Sequence, residues 1–360
     1  MNWRRSTVNR WIGLVALLTL VVGISPIALA AQDATPVPAS ISKAALVTPA
    51  SRTNQGWDQQ GADGFDAVGA ERGVTVEIAE NGGYDDITPI LRDFEANGNE
   101  LIVCHASGYQ TVCPEFAAES GIPVAVIENP GAVVPGLVSD IETQAQEAAW
   151  LAGYLAGKTT QTGTVAIIVS GEPPTWNFMT VGFAEGLHAS KPDAVLLYSV
   201  IGEAAYDDVA GGKRVTEQAL TAGADIIFGM GDGASFGMLQ AVVEHNDELA
   251  DGDSHAWFID VIGDKRADYA DHLLTSVYFD YTGVYNQLIT DLATGAFGQV
   301  YTMSVANGGV YLLPLPESID AMVVTDLTDQ EAKIISGEIT VSAIGDAAGM
   351  QAKLDELFPR

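Results

Sequence analysis

The chain has 360 residues, of which 47 are acidic and 16 are basic, and its formal net charge is −31. A hydrophobic content of 48% is that of a globular protein and excludes an acidic disordered polymer. Scarce Lys and Arg exclude a nucleic-acid role, because phosphate binding needs a basic surface, and they disfavour binding to anionic membranes. The length fits one large domain or two ordinary ones.

The first thirty residues have the three-part plan of a secretory signal peptide. Residues 1–10 carry three Arg and no acid, an apolar run follows at 11–24, and Ala28 and Ala30 supply the small residues of a cleavage site. A membrane anchor is the alternative, but the run is short for a bilayer span. We therefore predict a signal peptide at 1–30 and export to the periplasm or cell exterior. Removing three Arg and no acid takes the net charge from −31 to −34.

Residues 31–42 are small and contain Pro, and we interpret them as a flexible spacer. No Cys lies near the cleavage site, so no lipid anchor is evident. No later segment is apolar enough and long enough to span a bilayer. The mature protein is expected to be a soluble monomer.

From residue 43 onward, short apolar runs alternate with amphipathic stretches. The predicted strands are Ala44–Thr48, Val74–Ile78, Leu101–Cys104, Val124–Ile127, Val165–Val169, Val195–Val200, Asp225–Phe228, Ala256–Val261 and Leu274–Val277. The predicted helices lie at 57–72, 87–97, 111–120, 143–157, 177–190, 209–222, 235–248, 283–294, 328–336 and 346–357. This alternation is typical of parallel sheets covered on both faces. The number of strands favours two doubly wound α/β lobes over the alternative, one large Rossmann-like domain.

Ligands of open α/β sheets bind where loops leave the carboxyl ends of the strands. Aromatic and hydrogen-bonding side chains recur in those loops, in a combination suited to a flat, polar, heteroaromatic ligand or a sugar between the lobes. The aromatic candidates are Trp57, Tyr109, Trp176, Tyr206 and Phe279. The hydrogen-bonding candidates are Asn54, Gln55, Asp207, Asp232 and Asp260.

Catalytic and metal-binding motifs are absent from the sequence. None of the five His has the spacing of metal ligands, and there is neither a GxSxG elbow nor a Walker A loop. His105 follows a strand, although a packed or solvated His is the simpler interpretation. Residues 229–233 are a GxGxG run in mid-chain, which fits a dinucleotide site poorly but offers N–H donors to a polar ligand group. No cofactor and no metal is predicted.

Cys104 and Cys113 are nine residues apart, at a strand end and near the start of the next helix. Export permits a disulfide between them, since oxidising compartments allow such bonds. Two separately buried thiols are the alternative. We favour the disulfide, which would close the 104–113 loop.

Four segments resemble the basic membrane protein family of ABC-transporter substrate-binding proteins. Residues 149–186 resemble its YLAG-like helix, TG turn, strand and GF..G helix, and residues 206–228 resemble its aromatic-Asp pair with the following GAD-plus-strand unit. Residues 274–277 and 335–341 resemble later motifs. The resemblance covers roughly 43–342.

The resemblance implies a type I periplasmic-binding-protein fold, with two lobes, three crossing segments and a ligand cleft. We accordingly assign 43–140 plus 273–300 to an N-terminal lobe and 141–272 plus 301–360 to a C-terminal lobe. It also implies a purine base or nucleoside as ligand, sandwiched by aromatic rings.

Individual residues match the family's motifs to different degrees. Asn54 matches the Asn of the first-loop motif, and Trp57 occupies a GW position seen in one branch. Tyr206-Asp207 matches the aromatic-Asp pair, and Asp260 matches an Asp that holds ribose hydroxyls. Thr53 and Phe279 depart from the pattern, where an aromatic residue and a Lys are expected. The missing Lys favours a free base or another flat, polar compound over an intact nucleoside.

The leading hypothesis is a non-enzymatic substrate-binding protein of an ABC importer. It would capture a small neutral ligand, a purine base or nucleoside, and deliver it to a membrane permease. The alternative from a different class is a sensory receptor subunit that signals through a membrane kinase. Few Lys and Arg remain to hold an anion, so neutral or cationic small molecules are favoured over phosphorylated nucleotides.

Overall fold

The computed structural model describes residues 41–250 and 254–359. The predicted signal peptide, and the predicted spacer up to residue 40, lie outside the described residues. The described chain contains two six-stranded sheets, each covered by helices. This arrangement confirms the predicted fold of two α/β lobes.

The first sheet defines the first lobe. Its strands are β1 (Lys43–Val47), β2 (Thr75–Ala79), β3 (Ile102–Cys104), β4 (Val124–Ile127), β5 (Val138–Thr143) and β11 (Val300–Met303). They are all parallel, in the order β11-β5-β4-β3-β1-β2. The helices of this lobe are α1 (Trp57–Arg72), α2 (Thr88–Ala96), α3 (Val112–Ser120) and α9 (Thr282–Thr294).

The second sheet defines the second lobe. Its strands are β6 (Thr164–Val169), β7 (Val195–Val200), β8 (Ile226–Met230), β9 (Trp257–Ile262), β10 (Leu273–Phe279) and β12 (Val310–Leu312). They lie in the order β12-β10-β9-β8-β6-β7, and only β12 is antiparallel to its neighbour. The remaining helices are α4 (Ala145–Thr159), α5 (Pro174–Ser190), α6 (Val209–Thr221), α7 (Ala234–Asp247), α8 (Arg266–Tyr269), α10 (Ala321–Ile335) and α11 (Ala347–Leu357).

The chain crosses between the sheets three times, after β5, between β10 and α9, and between β11 and β12. The crossings differ in position from the predicted lobe boundaries. Residues 273–279 form β10 of the second sheet instead of the first lobe, because only the short α8 separates β10 from its parallel neighbour β9. Residues 300–303 form β11 of the first sheet.

Three strands, β5, β11 and β12, have no counterpart among the predicted strands. Strand β5 reads VSDIET, and two carboxylates interrupt the apolar pattern by which the other strands are recognised. Asp140 is nonetheless fully buried there, with Oδ1 accepting a hydrogen bond from the Asn129 amide at 2.7 Å. Strands β11 and β12 are only four and three residues long, too short for a clear pattern.

Helices α4 and α5 approach so closely that their backbones touch through glycines. A Cβ on Gly153 would lie 1.9 Å from the carbonyl oxygen of Phe183, and one on Gly186 would lie 1.9 Å from that of Trp150. No side chain fits in such a contact. The YLAG segment in α4 and the GF..G segment in α5 therefore form one closely packed pair of helices.

Cys104 and Cys113 form a disulfide, with Cα atoms 6.6 Å apart and both residues fully buried. The bond closes the loop between the end of β3 and the start of α3. It anchors a loop that reaches the cleft between the lobes.

Candidate functional site

A cavity of about 300 Å³ lies between the carboxyl ends of the two sheets. The segments that follow β1, β2, β3 and β4 line it from the first lobe, and the segments that follow β6, β7 and β8, with the end of β9, line it from the second. Binding sites of open α/β sheets occur at this edge. The lining residues are Pro49, Ala50, Asn54, Trp57, Asp58, Tyr84, Ala106, Ser107, Gly108, Glu128, Pro173, Thr175, Trp176, Tyr206, Asp207, Asp232 and Ile262.

The structure brings together six of the ten predicted ligand-binding residues. These are Asn54, Trp57, Trp176, Tyr206, Asp207 and Asp232. The other four, Gln55, Tyr109, Asp260 and Phe279, are not among the lining residues.

Tyr109 and Phe279 pack behind the cavity wall. Tyr109 is buried, and its hydroxyl donates to the Gly83 carbonyl at 2.7 Å, which fixes the loop that carries Tyr84. Phe279 is fully buried, with its ring 6.2 Å from that of Trp57. Both side chains support ring positions that face the cavity.

Asp260 is buried and paired with Lys265, with Nζ 2.5 Å from Oδ2. The ammonium group of Lys265 also lies 3.3 Å from the carbonyl oxygen of Gln55, in the other lobe. Asp260 therefore has a charged partner within the chain, and its contact with ribose hydroxyls stays a prediction of the resemblance.

Sequence reasoning missed Asp58, Tyr84, Glu128 and Thr175. Tyr84 follows the carboxyl end of β2, as the predicted site residues follow other strands, but it is not among the predicted residues. Glu128 directly follows β4 and Thr175 lies in the first turn of α5, and neither carries the aromatic ring on which the prediction depends. Asp58 lies one residue beyond Trp57, inside the first turn of α1.

The start of α1 holds its own polar groups in place. The side-chain oxygen of Asn54 accepts hydrogen bonds from the amides of Gly56 at 3.0 Å and Gln59 at 3.3 Å. Its Nδ2 donates to Asp58 at 2.7 Å, and the Ala50 amide donates to the same carboxylate at 2.9 Å. These bonds satisfy free N–H groups at the helix terminus and orient Asp58.

Trp57 rests on a group of rings at the base of the cleft. Its ring stacks on His105 at 4.9 Å and meets Tyr281 edge-on at 5.9 Å, and its Nε1 donates to the His105 carbonyl at 3.2 Å. His105 is fully buried, which lowers its pKa to about 4, so the imidazole is neutral and serves as packing.

Two carboxyl groups of the cavity have strongly raised pKa values. Burial, reinforced by the charges of Asp58 and Asp207, raises the pKa of Asp232 to about 7. Burial, reinforced by Asp140, raises the pKa of Glu128 to about 7. Desolvation and like charges both disfavour the ionised form.

The lobes touch directly around the cavity. The Thr175 hydroxyl of the second lobe donates to Glu128 of the first. A Cβ on Gly263 would lie only 1.7 Å from the carbonyl oxygen of Gln55. The structure is therefore a closed form, in which Gly263 permits the approach of the two backbones.

Backbone strain is concentrated in the same loops. The φ angles of Gln55, Glu128, Asp232 and Ile262 are 54°, 59°, 43° and 75°. Positive φ is uncommon for non-glycine residues and is a marked outlier for β-branched Ile262. Such strain accumulates at ligand sites, where the surrounding structure holds it.

Within the described residues, no group of three or more His, Cys, Asp or Glu side chains could hold a metal ion. Among the same residues, no helix combines the length and the apolar character needed to cross a bilayer.

Two lobes closing over a small cavity define a ligand-binding protein. Residues 41–344 match the Bmp family, described as "ABC transporter substrate-binding protein PnrA-like", and the chain belongs to this family. The family is non-enzymatic, which confirms the prediction of a binding protein, and ABC-transporter substrate-binding proteins bind a small molecule and a permease.

Similar proteins agree with this classification. The chain is 23% identical over 328 residues to the "ABC transporter nucleoside-binding protein BmpA" of Lactococcus lactis, covering 83% of this chain and 88% of the relative. It is 22% identical over 307 residues to "Basic membrane protein A" of Borreliella afzelii, covering 84% and 91%. An ABC-transporter solute-binding protein from Aeropyrum pernix has the same fold, with a TM-score of 0.74, 20% identity and coverage of 88% and 97%.

Asp232→Asn should stabilise the ligand-free protein. The folded pKa of about 7 lies above the unfolded value near 3.8, so stability present at low pH is lost as pH rises through 7. Asn cannot ionise, so the variant does not lose this stability. We expect its free energy of unfolding to exceed that of the wild type by on the order of 2 kcal/mol at pH 8 and by less at pH 5. Thermal unfolding at both pH values measures it, with exposed Asp329→Asn as control. Equal gains for the two variants would contradict the burial argument.

Gly263→Ala should prevent full closure, because the new methyl group collides with the Gln55 carbonyl. We expect a larger radius of gyration than that of the wild type in small-angle scattering. Gly283→Ala is the matched control, since a Cβ there meets nothing within 4 Å. A variant as compact as the wild type would show that this contact does not limit closure.

Proposed function

We propose that this protein captures a purine base or nucleoside in the interlobe cavity and delivers it to an ABC permease. The observation that supports it is the set of rings around the cavity, with Trp57 and Tyr84 in the first lobe and Trp176 and Tyr206 in the second. Flat heteroaromatic rings stack on such side chains. The relative from Lactococcus lactis is named a nucleoside-binding protein, which supports the same ligand class.

Three of these four rings are held by contacts within the chain, whereas Tyr84 is 70% exposed. Trp176 is buried and meets Tyr206 edge-on, with 5.4 Å between centroids and 80° between planes. Trp57 is held by its stacking on His105 and by its hydrogen bond to the His105 carbonyl. Rings held in advance lose little entropy when a ligand enters, which favours affinity.

Hydrogen-bonding groups surround the rings. Asn54, Asp58, Ser107, Thr175 and Asp207 all line the cavity. The ring nitrogens and exocyclic amines of a purine supply the donors and acceptors that such groups pair with. A volume of about 300 Å³ lies at the lower end of small-molecule sites, which suits a base more closely than a larger ligand.

The predicted export belongs to the same proposal. A signal peptide at 1–30 would place the protein outside the cytoplasm as a monomer, where an importer collects its substrate. The acidic surface is compatible with free diffusion near anionic membranes, because it does not adsorb to them.

Isothermal titration of refolded, ligand-free protein with adenine, guanine, adenosine and guanosine tests the ligand class. Denaturation before refolding releases any compound that stayed bound during purification. Mass spectrometry of the supernatant then identifies that compound. Saturable binding of a purine is the expected result. Binding of sugars or amino acids with no purine binding would contradict the proposal.

Trp57→Ala should weaken purine binding by about 1–3 kcal/mol, since stacking on an aromatic ring contributes that much. Trp257→Ala is the control, because Trp257 begins β9 at the end of the sheet opposite the cavity. Circular dichroism establishes that both variants fold. An unchanged dissociation constant for Trp57→Ala would assign this ring to packing alone.

A further inference from the structure

The cavity has an unbalanced charge. Two carboxylates from the first lobe, Asp58 and Glu128, face two from the second, Asp207 and Asp232. Among the described residues that line the cavity there is no Lys, Arg or His. Lys265 lies nearby, but its buried ammonium group is paired with the carboxylate of Asp260.

These carboxylates differ in the number of hydrogen bonds that they accept. Asp58 accepts two hydrogen bonds and Glu128 accepts one from Thr175. Asp207 and Asp232 accept none from the described residues with their side chains. Asp232 is partly buried, whereas Asp207 is exposed. Removing a carboxylate from water without a partner is costly, so a ligand that places positive charge beside Asp232 would recover part of that cost.

Aromatic rings from both lobes stand beside the carboxylates. The face of such a ring attracts a cation within about 6 Å of its centre, Trp most strongly. Trp57 and Trp176 line opposite sides of the cavity, with Tyr84 and Tyr206 beside them. Rings combined with carboxylates are the chemistry that recognises an organic cation.

We propose that the ligand is a flat heteroaromatic cation, whose ring stacks between the aromatic side chains while its positive charge is balanced by Asp232 and its neighbouring carboxylates. This inference rests on the proposed function, because it names the charge class of the heteroaromatic ligand of the same site. An inorganic cation does not explain the cavity, since no group of three ligating side chains occurs in the described residues. The four rings also have no role toward a hydrated metal ion.

The titration of the site agrees with this geometry. Asp232 and Glu128 have pKa values near 7, and a cation placed beside them lowers both. Binding therefore releases protons, and affinity for a permanent cation rises from pH 6 to pH 8. The charged groups that act on these two carboxyls are Asp58, Asp207, Asp260 and Lys265 around Asp232, and Asp140 beside Glu128.

Two matched pairs of probes test the inference by titration calorimetry. 1-Methyladenosine and N6-methyladenosine are isomers, and only the first is a cation at pH 7. 1-Methylnicotinamide and nicotinamide differ by one methyl group and a permanent charge. We expect the cation of each pair to bind at least about tenfold more tightly, as one charge–ring or charge–carboxylate contact supplies.

The outcomes separate this inference from the proposed function. If N6-methyladenosine binds as tightly as 1-methyladenosine, the cation inference is overturned and the purine proposal stands. If 1-methylnicotinamide binds tightly and neither adenosine does, the inference stands and the purine proposal fails. If neither cation binds, the inference is overturned, and binding of the four unmodified purines decides the other proposal.

Asp232→Asn locates the charge effect within the cavity. We expect about a tenfold loss of affinity for each cation and a smaller change for its neutral partner, with Asp329→Asn leaving both unchanged. Equal losses for cation and neutral partner would mean that Asp232 contributes shape and not charge, and would overturn the inference. Thermal unfolding of the variant shows that it is folded before the comparison is made.

Discussion

The direction of the strands is the constraint on which the rest of this structure depends. Apart from β12, every strand of both sheets is parallel, so the loops that follow them leave from one edge of each sheet. The three crossings bring these two edges together, and the cavity is the space between them. In a parallel sheet buried on both faces the strands consist mainly of apolar residues, so polar functional side chains lie in the loops. Rings, carboxylates and strained residues therefore concentrate at one place.

Closure of the cleft is governed by two kinds of contact. Gly263 lets the backbones of the two lobes meet, and the hydroxyl of Thr175 reaches Glu128 across the opening. Against these contacts stands the cost of burying carboxyl groups, which, reinforced by nearby like charges, raises the pKa values of Asp232 and Glu128. Keeping these carboxyl groups in the cavity lowers the stability of the ligand-free protein, and such a loss of stability is common at functional sites.

Much of the fold was predictable because apolar runs mark buried strands clearly. Every strand predicted from such a run is present, whereas β5 is not predicted because Asp140 and Glu142 interrupt its apolar pattern. Six predicted site residues reach the cavity because strand ends converge there. Tyr109 follows β3, and Asp260 and Phe279 lie near the ends of β9 and β10, but whether a side chain turns toward the cleft or behind it depends on packing. The partner of Asp260 was equally hidden, since Lys265 lies beyond the strand end and turns back.

The interleaving of the two lobes along the chain has a consequence for how the protein is made. The first sheet receives its last strand, β11, only at residues 300–303, and the second receives β12 at residues 310–312. A chain that emerges from the ribosome amino end first cannot complete the first sheet before residue 303, or the second before residue 312, has been synthesised. Domains that are contiguous in sequence fold one after another during synthesis. Here the strands of the two sheets alternate along the chain, so neither lobe can finish folding before most of the other has been synthesised.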